Sequence, residues 1–257
     1  MRWLVFLLLV ILAGCAAQQP EAMEHVMEAG SPADYRVTLA TMPSLVEPEK
    51  ETELEITIAH ADGTPVDMEE MHERMMHVML IRDDLRHFAH IHPEDFGGVD
   101  DTNKLSLKHV FPQPGRYRVM VEFSENGKTV AVPNTVLVSG DYRPLPIEED
   151  YAREKRSDGY TVKLEAPDPL IAGVASMLAF PVTKDGAPVD FELFLGEKMH
   201  LAVWKEQLGH FEHAHPVEMN GQIMFHVAFP TPGVYKLYPQ FQHQGKVVTG
   251  EFVVRVT

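Results

Sequence analysis

The sequence predicts an all-β protein built as two tandem β-sandwiches, and three observations predict it. First, Gly63 to Glu94 aligns without a gap on Gly186 to Val217, with 13 of 32 positions identical. Second, both copies consist of short alternating runs separated by turn residues, the pattern of half-buried strands. Third, no segment carries a convincing helical period; Met68 to Met76 is the best candidate, and it also reads as a loop.

The first residues have the form of an export signal: Arg2, an apolar run from Trp3 to Leu12, then Leu12-Ala13-Gly14-Cys15. The run is short for a membrane span. Leu-Ala-Gly-Cys resembles the lipobox of bacterial lipoproteins. The resemblance implies that residues 1–14 are removed and that Cys15, the only cysteine, carries the lipid and starts the mature chain. Residues 15–34 are small, polar and proline-containing, which suits a tether rather than a fold. The tether holds Met23, His25 and Met27, a soft donor set that can catch a cation.

Repeat one is expected over 35–140 and repeat two over 158–257, joined by the acidic, proline-containing linker 141–157. Each opens with an alternating strand, at Tyr35–Leu39 and Tyr160–Leu164. A second strand follows (Glu53–His60; Ala175–Val182), then an Asp-Gly turn at Asp62-Gly63 and Asp185-Gly186. A hairpin then carries most of the shared histidines. Next comes a turn entering another strand, Phe111-Pro-Gln-Pro-Gly-Arg-Tyr117 in one copy and Phe229-Pro-Thr-Pro-Gly-Val-Tyr235 in the other. A last hairpin turns at Gly127-Lys128 and Gly245-Lys246.

The Phe-Pro-x-Pro-Gly-x-Tyr corner resembles the turn before a late strand of bacterial immunoglobulin-like domains. The layout is also similar to the small exported YtkA-like and CopC-like domains, the latter being periplasmic copper carriers. The resemblance implies immunoglobulin-like sandwiches and a copper cargo. The N-terminal histidine usual in CopC-like proteins has no counterpart in this chain.

The formal charge is −16, and loss of Arg2 with residues 1–14 makes it −17. Such a surface repels nucleic acid phosphate and anionic lipid, so the expected membrane contact is the lipid anchor alone. A single cysteine leaves no disulfide framework and no thiolate metal site.

What the two copies keep is mostly imidazole: His77/His200, His87/His210, His90/His213 and His92/His215. Ordinary core positions drift meanwhile, as Leu80 to Val203 and Ile81 to Trp204. His90-Ile91-His92 and His213-Ala214-His215 put two imidazoles on one face of a strand. Phe88 and Phe211 share that face, and Glu212 on the other suggests that the other is wet and the histidines point inward. A hairpin symmetric about Asp84/Leu85 sets His77 opposite His92 and Met79 opposite His90. The same count pairs His200 with His215. Each repeat is therefore expected to hold one metal ion on three histidines: His77, His90, His92, and His200, His213, His215. Met79, His87 and His210 are auxiliary candidates, the two histidines falling at the turn end.

An imidazole set without thiolate favours copper, with zinc as the alternative. The expected function is that of a membrane-anchored, extracytoplasmic copper carrier or buffer, exchanging metal with another envelope protein. The rival readings are a zinc-binding protein or hydrolase with three-histidine sites, and a non-catalytic interaction module with core histidines. No carboxylate is kept beside the histidines in both copies (Glu94 becomes Val217, Asp84 becomes Gln207), which argues against catalysis.

Overall fold

The computed structural model describes residues 28–70, 74–93, 103–219 and 221–257. Cys15, the expected signal and the Met23, His25, Met27 set lie outside the described residues. Repeat one contains β1 (Glu28–Ala29), β2 (Tyr35–Met42), β3 (Glu51–His60), β4 (Met76–Arg82), β5 (Ala89–Ile91), β6 (Lys104–Val110), β7 (Gly115–Glu125) and β8 (Lys128–Val138). Repeat two contains β9 (Glu154–Ser157), β10 (Tyr160–Lys163), β11 (Ala175–Ala179), β12 (Val182–Lys184), β13 (Ala187–Pro188) and β14 (Met199–Lys205), then β15 (Phe211–Ala214), β16 (Pro216–Met219), β17 (Gln222–Ala228), β18 (Gly233–His243), β19 (Lys246–Thr249) and β20 (Phe252–Val256). Among the described residues there is no α-helix, and those of Met68–Met76 lie outside any helix. None is long and apolar enough to cross a membrane as a helix.

In repeat one a sheet ordered β1-β8-β7-β4-β5 faces a sheet ordered β2-β3-β6. Strict alternation builds the core between them: Leu54, Ile56 and Ile58 of β3 meet Val78 and Leu80 of β4 and Val119 and Val121 of β7. Repeat two repeats the plan, with β15-β14-β18-β19 on one side and β20 also paired to β18. Its opposite layer is divided between β11-β17-β16 and β13-β12-β10-β9. The strand expected over Ala175–Val182 breaks after Ala179, where Pro181 has no N–H to give a ladder. Opposite Pro239 the last strand is broken for a similar reason. The Pro239 carbonyl accepts from the Gly250 amide, but its ring returns no donor, and β19 and β20 separate there.

The two kept corners have a physical reason. Tyr117 Oη donates to the Gln113 carbonyl at 3.0 Å, and Tyr235 Oη to the Thr231 carbonyl at 2.7 Å. Each tyrosine thus ties its strand back to the turn, as in the tyrosine corner of immunoglobulin-like folds. The glycine between has φ of 137° (Gly115) or 145° (Gly233), a backbone that an L side chain rarely adopts. The final hairpins turn on Asn126-Gly127 and Gln244-Gly245, all at positive φ, one residue earlier than the expected Gly-Lys pairs.

Strand β4 is buried along its whole length, and so is β14 up to Lys205. One face of β4 (Met76, Val78, Leu80) fills its own sandwich. On the other face, Met79 and Ile81 join Leu85 and Met120 against Ala202, Trp204 and Tyr238 of repeat two. Equivalent residues of the two copies (Met79 and Ala202, Ile81 and Trp204, Met120 and Tyr238) therefore meet across a third core, formed by sheet packing on sheet between the repeats. This position corrects the expected facing of the histidine strands. Ala89, Ile91 and Ala214 pack on the sandwich cores rather than toward water, while Phe88 and Phe211 cover the core between the repeats.

Candidate metal centre

The hairpins pair in the register the sequence suggests: Met79 opposite His90, and Leu201 opposite Ala214. In repeat one, a bidentate pair from buried Arg82 to buried Asp84, at 2.9 and 2.8 Å, shapes the turn between the strands. The outcome is a triangle of nitrogens. His77 Nδ1 lies 3.1 Å from His90 Nε2 and 3.0 Å from His92 Nε2, and the last two are 3.2 Å apart. Nitrogens bound tetrahedrally at about 2.0–2.1 Å stand about 3.3 Å from one another, so a slight opening of this triangle fits an ion. In repeat two, His200 Nδ1 is 3.3 Å from His213 Nε2, and His200, His213 and His215 have ligand nitrogens within 4.8 Å of one another.

The sequence leads one to expect a separate site in each sandwich, whereas the structure brings all six imidazoles together between the repeats. The His213 ring centroid is 5.1 Å from those of both His77 and His90, and the His200 centroid is 5.6 Å from His90. His77, His90 and His213 have ligand atoms within 4.8 Å of one another, so the first triangle is open to an imidazole of the second repeat.

The outer hydrogen bonds fix which nitrogen faces inward. His200 Nε2 donates to the Phe194 carbonyl at 2.7 Å, which makes Nδ1 the lone-pair nitrogen of the ring. His90 Nδ1 donates to Gln240 Oε1 at 3.0 Å, and the amide is held in turn by its donation to Thr249 Oγ1. His213 Nδ1 and Glu122 Oε1 are hydrogen-bonded at 2.7 Å. While Glu122 is protonated either group can be the donor; once it ionises, His213 Nδ1 must donate. The inward nitrogens of His90 and His200 are thus the lone-pair atoms of their rings, the form that binds a cation. A hydrogen on His77 Nδ1 or His92 Nε2 serves one edge of the first triangle, and a cation would serve all three.

The electrostatics favour neutral rings. Burial is the first cause, and neighbouring imidazoles the second, that hold His90 and His213 well below the usual histidine range. Burial likewise takes His92 down to about 2. His90 keeps part of its surface exposed, but its ring is enclosed by those of His77, His92, His200 and His213. Glu122 is pushed up to about 8 by burial, so its contact with His213 in the metal-free protein is a hydrogen bond between largely uncharged groups rather than an ion pair. Neutral imidazole is the form that binds metal.

Glu122 and Gln240 escape the sequence reading, although a signal exists. Carrying the Phe-Pro-x-Pro-Gly-x-Tyr alignment along β7 and β18 brings them to equivalent positions, buried and polar in both copies. The register confirms the equivalence: Glu122 pairs with His77, and Gln240 with His200. Among the auxiliary candidates, Met79 is fully buried in register with His90. His87 and His210 fall in the two turns: His87 has φ of 57°, and the His210 carbonyl accepts from the Lys205 amide. His109, not counted as a ligand, stacks edge-on against Phe111 with centroids 4.7 Å apart.

A larger cleft of about 660 Å³ lies beside the linker, lined among others by Arg82, Asp84, Lys155, Asp150, Lys236 and Glu251. These charges already pair with one another, so the cleft is a seam of ion pairs with no set of converging donors.

Fold and centre together define a class: a tandem β-sandwich protein whose repeats pool their histidines in one buried cluster. The chain belongs to the family of the domain of unknown function DUF8832, whose model matches residues 29–140 and 155–257, once per repeat. No curated protein matches it in sequence. Solved structures with similar folds include trypsin-activated alpha-2-macroglobulin from Escherichia coli, at 10% identity and a TM-score of 0.31 over 89% of this chain. This chain spans 18% of that one. Invasin, a bacterial integrin-binding protein, matches at 12% identity and a TM-score of 0.27, over 87% of this chain and 39% of its own. The Escherichia coli adhesin FdeC matches at 14% identity and a TM-score of 0.25, over 90% of this chain and 66% of its own. Likenesses at this level carry no argument about activity.

Proposed function

We propose that this protein is an extracytoplasmic metal-binding lipoprotein that carries or buffers copper at the six-histidine centre between its repeats. One observation carries the reading: ring nitrogens of His77, His90 and His92 stand 3.0–3.2 Å apart in one triangle, and those of His200, His213 and His215 gather within 4.8 Å of one another beside it. A cation is the partner such a set calls for, and the enclosing rings exclude anions. The absence of thiolate and the abundance of imidazole favour copper on raw affinity. The outline resemblance to YtkA-like and CopC-like domains points the same way. Cys15 would hold the protein to a membrane by its lipid, and the acidic surface would raise the local concentration of cations. A metal-donating or metal-receiving envelope protein would complete the traffic.

Zinc is the second reading, supported by the 3.0–3.2 Å spacing of the first triangle, close to one face of a tetrahedron. Glu122 touches His213 on the side away from the inward nitrogens, a place from which it orients the ring rather than activates a bound water. The test is metal analysis of the purified full chain, with anaerobic Cu(I) and aerobic Cu(II) and Zn(II) titrations of the stripped protein. Tight copper binding supports the carrier, preference for zinc supports the second reading, and absence of affinity for any of them overturns both.

A further inference from the structure

Resting on the metal-binding reading above, we infer that the centre holds two ions side by side, filled in a fixed order set by Glu122. Each repeat supplies its own three nitrogens, so there are ligands for two ions. The two sets touch, because His213 has a ligand atom within 4.8 Å of those of His77 and His90. Two cations seated there repel each other across the shared rings, which separates the two binding steps.

The order follows from the one chemical difference between the equivalent outer partners. Each partner reaches across to the other repeat: Glu122 of repeat one holds His213, and Gln240 of repeat two holds His90. A carboxyl behind a ligating imidazole can release its proton to solvent as the dication binds, which makes the ring more basic and offsets part of the ion's charge, whereas an amide has no such proton to lose. The first ion therefore enters the set of His200, His213 and His215. The second enters the set of His77, His90 and His92, against the charge of the first. The ions concerned are borderline or soft cations that accept three imidazoles, Cu(II) foremost.

The experiment is a Cu(II) titration of the stripped full chain, followed by chelator competition and electron paramagnetic resonance. Two ions per chain are expected, the first about ten- to a hundredfold tighter, in line with the effect of such outer partners on metal affinity. A half-field signal from coupled spins should appear only with the second equivalent. Glu122→Gln gives both sets an amide partner and should weaken the first step toward the second. Gln240→Glu leaves Glu122 in place and should tighten the second step, so the inference stays testable if the first variant folds poorly. One ion per chain, two magnetically isolated ions, or steps that neither variant moves would each overturn it while leaving the proposed function standing. A chain that binds no copper or zinc overturns both.

Discussion

His213 of the second repeat and Glu122 of the first are joined by a 2.7 Å hydrogen bond, and at the equivalent place Gln240 of the second repeat holds His90 of the first at 3.0 Å. The contact between the repeats is thus more than apolar packing. Met79, Ile81, Trp204 and Tyr238 set the distance between the sheets, and the crossed polar pairs then fix the orientation of two imidazoles. Tyr238 Oη and Lys236 Nζ add donations to the Leu85 carbonyl, at 2.6 and 2.9 Å, which pin the turn of the first hairpin to the second sandwich.

Gln240→Leu should therefore weaken metal binding without touching a ligand. The buried His90 Nδ1–H would lose its acceptor, at a stability cost of about 1–3 kcal/mol. The ring would no longer be held with Nε2 inward, and loss of such an outer partner lowers metal affinity by about 10–100-fold. Denaturation and chelator competition on the same preparation measure both effects. Unchanged affinity would mean that the amide does not orient the ligand.

Much of this arrangement is legible in the sequence, for identifiable reasons. Period-two alternation and the two Phe-Pro-x-Pro-Gly-x-Tyr corners mark the sandwiches, and the symmetry of the hairpin about Asp84/Leu85 gives the register of Met79 with His90. What the sequence hides is long-range. Glu212 draws the eye to the wrong face, because in one strand an outer face covered by a second domain reads like an inner one. Met79, Ile81 and Trp204 look like ordinary core residues, and only the packed pair of repeats shows that they build a separate core. Glu122 lies 91 positions from His213, a pairing that no local pattern announces.

The metal-free protein should be most stable near pH 6.5. His90, His92 and His213 have folded-state values held below the unfolded value of about 6.5, so the unfolded chain takes up protons first as pH falls. Their contribution is complete above that pH and is lost below it. Glu122 has the opposite sign: raised from 4.5 to about 8, it holds a proton in the folded state, and stability declines as pH rises through that window. Below about 6.5 these three histidines, with His109 and His87 also lowered by burial, outweigh one carboxyl, and above it the carboxyl dominates, each net proton changing stability by about 1.4 kcal/mol per pH unit. Urea midpoints of the stripped protein across this range measure the curve. A midpoint that keeps rising up to about pH 8 would show that Glu122 is ionised in the fold.

Cys15→Ser tests the anchor. If the thiol carries the lipid, the substituted chain should stay uncut or leave the membrane fraction, since the apolar run from Trp3 to Leu12 is short for a stable span. Fractionation with mass measurement of the N-terminus separates these outcomes. A correctly cut serine variant that still sediments with membranes would rule out lipid anchoring at this residue.

Replacing His92 and His215 together with alanine tests the centre itself. The change takes one nitrogen from each set and breaks both; of the four imidazoles left, His77, His90 and His213 still have ligand atoms within 4.8 Å of one another, a wider grouping across the repeats than either original set. Copper and zinc affinity should fall by at least about a hundredfold, beyond the range expected for loss of an outer partner. Stability of the metal-free chain should change by no more than about 2 kcal/mol, because truncating His92 opens a cavity but also removes a nitrogen crowded against two others. His109→Ala serves as the control, since that ring stacks on Phe111 away from the cluster and its loss should leave metal binding intact. Full affinity in the double variant would place the site elsewhere. Unfolding of the double variant with no metal present would show that the imidazoles hold the two sandwiches together as packing, and the copper reading would fall with it.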